Sequence, residues 1–182
     1  MSFRKNFLGN KMNQDEVLNQ LIQDLFSEDE LGAVIRSHIR IEYVLNTYVD
    51  KSAPNPKHIN KLRLDFDQTV TLAITLGLDE EYATPLRVLG KLRNDFAHKP
   101  DMHLSKSSVN NLYSQLNSVG KDSIQKLFNT LKERGSLASH SKFSEMPPTE
   151  QLKMIVVTIW AQINAALKQL FEALCKKEKL LE

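Results

Sequence analysis

Cysteine is almost missing from this chain: Cys175 is the only one in 182 residues, which excludes an intramolecular disulfide and a cysteine-based metal site. Turn formers are also scarce, with six glycines and six prolines, and no segment alternates polar and apolar residues long enough to demand a sheet. No run of eighteen consecutive apolar residues occurs, and the basic start at residues 1–10 lacks the apolar stretch of a secretory leader. The expectation is a soluble cytoplasmic protein that spans no membrane. An excess of one charge is lacking too. The 24 basic and 22 acidic residues leave a net charge of +2, far from the surplus that usually marks a nucleic-acid binder. Lys176, Lys177 and Lys179 fall in the last turn of an expected helix, where cations complement the dipole, so their clustering has a structural explanation. There is no phosphate-cradling glycine loop and no Ser or Cys nucleophile motif. Metal-ligand spacing is limited to generic helical pairs such as His38 and Glu42. No metal and no cofactor are expected.

What is present is helical periodicity. With 41% hydrophobic and 25% charged residues, the composition predicts one all-α domain over residues 1–182, a helical bundle of about six to seven helices ending in a long C-terminal helix. Residues 1–12 read as a flexible lead-in. Asn13, with Glu16 three residues on, is expected to cap a first helix ending at Phe26, and Ser27 to open a second ending near Val49. A third is expected over 58–76, stopping at Gly77, and a fourth over 79–98. Two shorter helices, 105–117 and 123–133, are expected to join near Gly120, followed by a mobile loop over 135–147. Pro147 and Pro148 then launch the last helix, whose stripe of Leu152, Ile155, Ile159, Ile163, Leu170 and Leu174 predicts one broad buried face.

The feature that needs explaining lies in the fourth helix. Tyr82, Leu86, Leu89, Arg93 and Phe96 form one stripe at spacings of three and four, so Arg93 interrupts a core-facing row, with Asn94 and His98 nearby. Arg93 and His98 are five residues apart, roughly 140° around a regular helix. They converge only if Pro100 loosens the last turn. Two structural explanations are available: an ion pair between Arg93 and Glu42 of the second helix, tying the two helices together, and a C-terminal histidine favoured by the helix dipole.

The run Leu92-Arg93-Asn94-Asp95-Phe96-Ala97-His98, preceded by Thr75-Leu76-Gly77-Leu78 and Asp79-Glu80-Glu81-Tyr82, resembles the central block of the bacterial mannitol operon repressor family. There a turn of the type A-L-G-L is followed by I-R-N-x-F-A-H. The resemblance covers residues 62–100, extends loosely to Ile41-Glu42, and fades after Asp101. It implies a regulator acting in transcriptional repression. The same residues are similar to the Arg-x4-His signature of HEPN domains, all-α modules that include ribonucleases working as dimers on single-stranded RNA. That likeness would make Arg93, Asn94 and His98 the catalytic set, with His98 as general acid or base, Arg93 on a phosphate and Asn94 orienting one of them in metal-independent cleavage of RNA. Both resemblances imply self-association into a homo-oligomer.

Direct DNA reading is not expected. The best helix-turn-helix candidate, residues 112–131, has Lys121 after its turn glycine where an apolar residue usually packs, and its second helix offers only Lys126, Lys132 and Arg134 to phosphates. A repressor role would therefore run through a protein partner, another regulator. Nucleic acid enters only under the alternative readings. His38, beside the core stripe of the second helix, reads as a satisfied core histidine.

Overall fold

The computed structural model describes residues 14–135 and 140–179. The expected lead-in over 1–12 lies outside them. Among the described residues there are seven α-helices, three short 3-10 turns and no strand. The helices are α1 (Gln14–Phe26), α2 (Glu30–Ser52), α3 (Phe66–Thr75), α4 (Ala83–His98), α5 (Lys106–Ser114), α6 (Ser118–Glu133) and α7 (Pro148–Lys179). The protein is an all-α bundle with a long C-terminal helix.

Local chemistry sets most boundaries. Asp29, not Ser27, caps α2: its carboxylate accepts the Gly32 amide at 2.7 Å, so the helix starts at Glu30. The expected third helix is broken in two. Pro56–Lys61 form a 3-10 turn, Arg63 takes a left-handed φ of 50°, and an Asp65/Gln68 capping box restarts the chain as α3. That reciprocal pair binds the first free amides of α3, which a continuous helix would have bonded internally. Gly77, at φ 107°, ends α3: its amide bonds to Ile74 O and the Leu78 amide reaches back to Ala73 O at 3.0 Å. Gly120 is not the hinge between α5 and α6. It sits in the first turn of α6, where its amide donates to the Asn117 cap at 2.7 Å.

The core is organised around α7. Residues 151–159 are buried all round, enclosed by α1, α2, α5 and α6, so the single broad face expected from the stripe becomes full engulfment in this half. Its residues 148–176 have the length and hydropathy of a membrane span, yet here the apolar first half serves as the centre of a bundle. Each polar side chain in it is partnered. Gln151 donates to Met146 O at 2.7 Å and Thr158 to Met154 O at 3.0 Å. Lys153, 2% exposed, donates to Glu28 O at 3.1 Å, Phe26 O at 3.4 Å and the Glu150 carboxylate at 2.9 Å, clamping the C-terminal end of α1.

The Gln151 contact also corrects part of the mobile loop expected over 135–147, at its described residues 140–147. Phe143 and Met146 are buried, a 3-10 turn spans Phe143–Glu145, and the Phe143 ring lies 5.4 Å from that of Tyr113. Two apolar anchors in a polar stretch are enough to hold it. Residues 136–139 of that stretch lie outside the described ones. Beside the α7 centre, α2, α3 and α4 pack on one another, and this corner carries the site.

Candidate functional site

A groove of about 620 Å³ opens where the start of α3 meets α2 and α4. From α2 come His38 and Glu42, from the N-terminus of α3 Asp65, Phe66 and Asp67, and from α4 Arg87, Gly90, Lys91, Arg93, Asn94 and Asp95. The floor is made by close packing. The Phe66 ring lies 4.3 Å from that of His38, and it passes so near Gly90 that a Cβ there would meet Phe66 Cδ1 at 2.9 Å. Gly90 thus stands inside α4, at some cost to the helix, because the aromatic ring occupies the space a side chain would need.

His38 is 6% exposed, and burial is the main cause holding its imidazole below the usual 6.5. Glu42 raises it and Arg93 lowers it further. Glu42 Oε2 is 3.9 Å from His38 Nδ1, an electrostatic neighbour beyond hydrogen-bond distance. The neutral histidine therefore lies under the groove next to an open carboxylate.

The ion pair expected between Glu42 and Arg93 is not among the contacts within 4 Å of the described residues. Glu42 faces His38 instead, and the half-buried Arg93 donates from Nη1 to Asn94 Oδ1 at 3.1 Å. Both line the groove without bridging it. The reason is the position of Arg93 at the edge of the apolar stripe, where the long side chain runs out to solvent.

The expected convergence of Arg93 and His98 is likewise not made. α4 stays regular through His98, since the Lys99 amide still bonds to Asp95 O at 3.0 Å. The extended geometry demanded before Pro100 falls on Lys99 (φ −119°, ψ 104°). His98 is exposed at the helix end, outside the groove, roughly 140° around the axis from Arg93. Asn94 lies between them, exposed and bonded to Arg93.

Three cations, Arg87, Lys91 and Arg93, and four carboxylates, Glu42, Asp65, Asp67 and Asp95, line the groove. Several are already engaged. Asp67 accepts Arg87 Nε at 2.6 Å, with Thr71 taking Arg87 Nη2 at 3.0 Å. Lys99, at 2.6 Å, holds the Asp95 carboxyl below its ordinary range. Lys91 makes no hydrogen bond or ion pair among the described residues, so with Glu42 and the outer nitrogens of Arg93 it remains available to a visitor. No group of three or more His, Cys, Asp or Glu side chains that could hold a metal occurs among the described residues.

Sequence reasoning missed His38, Phe66 and Gly90 as site members. One signal was present, since a glycine inside a strongly periodic helix marks a close approach. The aromatic partner, 24 positions earlier in the chain, had no such mark. No family model matches this chain, and no curated protein or solved structure is significantly similar to it.

Proposed function

We propose that this chain is a cytoplasmic regulator of the kind implied by its resemblance to the mannitol operon repressor family, repressing transcription through contact with another regulatory protein. The observation that carries this reading is the charge balance of the groove, with Glu42, Lys91 and Arg93 unengaged or partly so among three cations and four carboxylates. A phosphate backbone would meet four carboxylates there, whereas a polar segment of a protein can answer both signs. On α6, Lys126 and Lys132 stand on an exposed face with Asp122 and Glu133, a weak footing for duplex DNA.

The test is genetic and biochemical together. Removing the gene is expected to raise the transcript of a target operon, wild-type protein to restore repression, and Glu42→Arg or Lys91→Glu to fail while still folding. Purified chain alone should leave that operon's promoter fragment unretarded even at low salt. Unchanged transcripts, or retardation by the chain alone, would overturn the proposal.

A second reading, a HEPN-type ribonuclease working as a dimer on single-stranded RNA, is favoured by the exposure of His98 and Asn94 beside a guanidinium that Asn94 orients. Because Arg93 and His98 diverge within one chain, the site would have to be completed by a second copy. Cleavage in EDTA that is lost in His98→Ala would establish it, and intact RNA across a broad panel would end it.

A further inference from the structure

Two opposite charges in the groove face the same buried imidazole and do not meet. Glu42 on α2 and Arg93 on α4 both act electrostatically on the His38 ring, and no ion pair joins them among the described residues. His38 is 6% exposed, lines the groove and makes no side-chain hydrogen bond among the described residues. Buried side-chain nitrogens are as a rule bonded, so this ring has a polar edge to offer to something that enters the groove. In its neutral form it donates through one nitrogen and accepts through the other, adding no charge. Arg93 commits only Nη1 to Asn94, which leaves Nε and Nη2, a fork that matches a carboxylate in two parallel bonds. Of the groove's four carboxylates, Asp65 accepts the Gln68 amide, Asp67 pairs with Arg87 and Asp95 with Lys99, which leaves Glu42 as the open one.

We infer that the groove binds a small zwitterion, an α-amino acid with an apolar side chain, its ammonium on Glu42, its carboxylate on the free fork of Arg93, and its side chain against the Phe66 floor. Simpler ligands leave part of the site unanswered. An inorganic anion would meet the open carboxylate as well as the cations, and a divalent cation finds no group of three or more ligating side chains among the described residues. A neutral apolar molecule would strip water from Glu42 and Arg93 without replacing its hydrogen bonds. Because both charges face one imidazole, they are near neighbours, and an α-amino acid carries its ammonium and carboxylate on a single carbon. Such a ligand answers both signs at once, and His38 adds a hydrogen bond that favours neither. Lys91, exposed on the next turn back, reinforces the carboxylate end. A groove of about 620 Å³ is ample for a molecule of this size. The inference rests on the regulator reading only for its consequence: an amino acid seated here would displace the partner's segment and so act as the effector that relieves repression.

Titration calorimetry on the full chain tests it, with L-leucine and L-phenylalanine as probes and N-acetyl-L-leucine and L-leucinamide as forms that lack one charge each. At least one probe should bind with a Kd below about 1 mM, and capping either end should weaken binding about tenfold or more, the loss of one charge-assisted bond. The capped forms are tried on the wild-type chain, so the result does not depend on any variant folding. Glu42→Gln should weaken leucine about tenfold without further weakening the N-acetyl form, and Arg93→Gln should do the same with respect to the amide. Lys126→Ala, on the exposed face of α6, should leave the Kd unchanged. The His38 ring resonances should shift on adding leucine. No heat and unmoved His38 resonances up to about 10 mM of either probe would overturn the inference, as would capped forms that bind as well as the free amino acids. Binding indifferent to both Glu42→Gln and Arg93→Gln would overturn it by placing the site elsewhere. Repression that follows the genetics without amino-acid binding would leave the regulator reading standing and this inference refuted, and binding with unchanged transcripts would do the reverse.

Discussion

Replacing Gly90 with alanine sets two effects of similar size against each other at the floor of the groove. A glycine in the middle of a helix costs about 1 kcal/mol relative to alanine, so in an uncrowded helix Gly90→Ala would stabilise the protein by that amount. In α4 the added methyl meets Phe66 Cδ1 at 2.9 Å and Cε1 at 3.1 Å. The ring also packs against His38, with centroids 4.3 Å apart, so it has little room to shift without disturbing that contact. Overpacking of this kind costs about 1–3 kcal/mol, which leaves a net loss of about 1 kcal/mol and a fall in Tm of roughly 2–4 °C for a chain of this size. The ring's escape is outward, which uncovers His38. Since burial is the first cause of the lowered His38 pKa, its titration should move up toward 6.5. Urea denaturation and the imidazole proton shifts measure the two effects on one sample. A Gly90→Ala protein that is more stable than wild type, with an unmoved His38 titration, would refute the packing argument.

Lys153→Met should destabilise the fold by about 3 kcal/mol in urea, because it strands the Glu28 and Phe26 carbonyls and the Glu150 carboxylate at a site with 2% exposure; a loss below about 1 kcal/mol would show the lysine to be dispensable. His38 predicts a pH slope. Its folded pKa lies below the unfolded 6.5, so the unfolded chain takes up the proton first, and stability that is complete above 6.5 declines as pH falls below it; His38→Gln should flatten that limb. Arg93→Ala should cost no more than about 1 kcal/mol, since its guanidinium is bonded to an exposed Asn94 and strands no buried charge, and a loss of 3 kcal/mol or more in thermal melts would restore the buried-pair explanation.

Periodicity read the helices well because a 3.6-residue pattern is written locally. The ends of α1 and α4, the stop at Gly77 and the launch at Pro148 could be placed from cap chemistry and spacing alone. The errors share a cause: two residues competed for one role, and three-dimensional context chose. Asp29 outbid Ser27 as a cap, and Asp65 broke a run whose hydrophobic spacing alone looked continuous. Burial of Phe143 and Met146 turned a serine-rich stretch into an anchored connection, an outcome decided by the pocket that α5 and α7 supply. At the site, Arg93, Asn94 and Glu42 were legible as polar residues bordering apolar stripes, but their pairing was not. Whether a long side chain turns inward to a partner or outward to water depends on a few ångströms of helix offset, which no spacing rule encodes.

The helix at the centre of this bundle is also the one translated after every helix it packs on. Lys153 bonds to a carbonyl 127 positions earlier, and the apolar faces of α1, α2, α5 and α6 all close on residues 151–159. A nascent chain carrying those four helices but not α7 has amphipathic surfaces and nothing to wrap. Loop closure over such a separation is slow beside the formation of local helices, so those faces stay open to solvent and to chaperones until α7 arrives. Assembly of this protein is thus timed by the synthesis of one segment: its folding on the ribosome is expected to show helix early and protection of the core in a single late step.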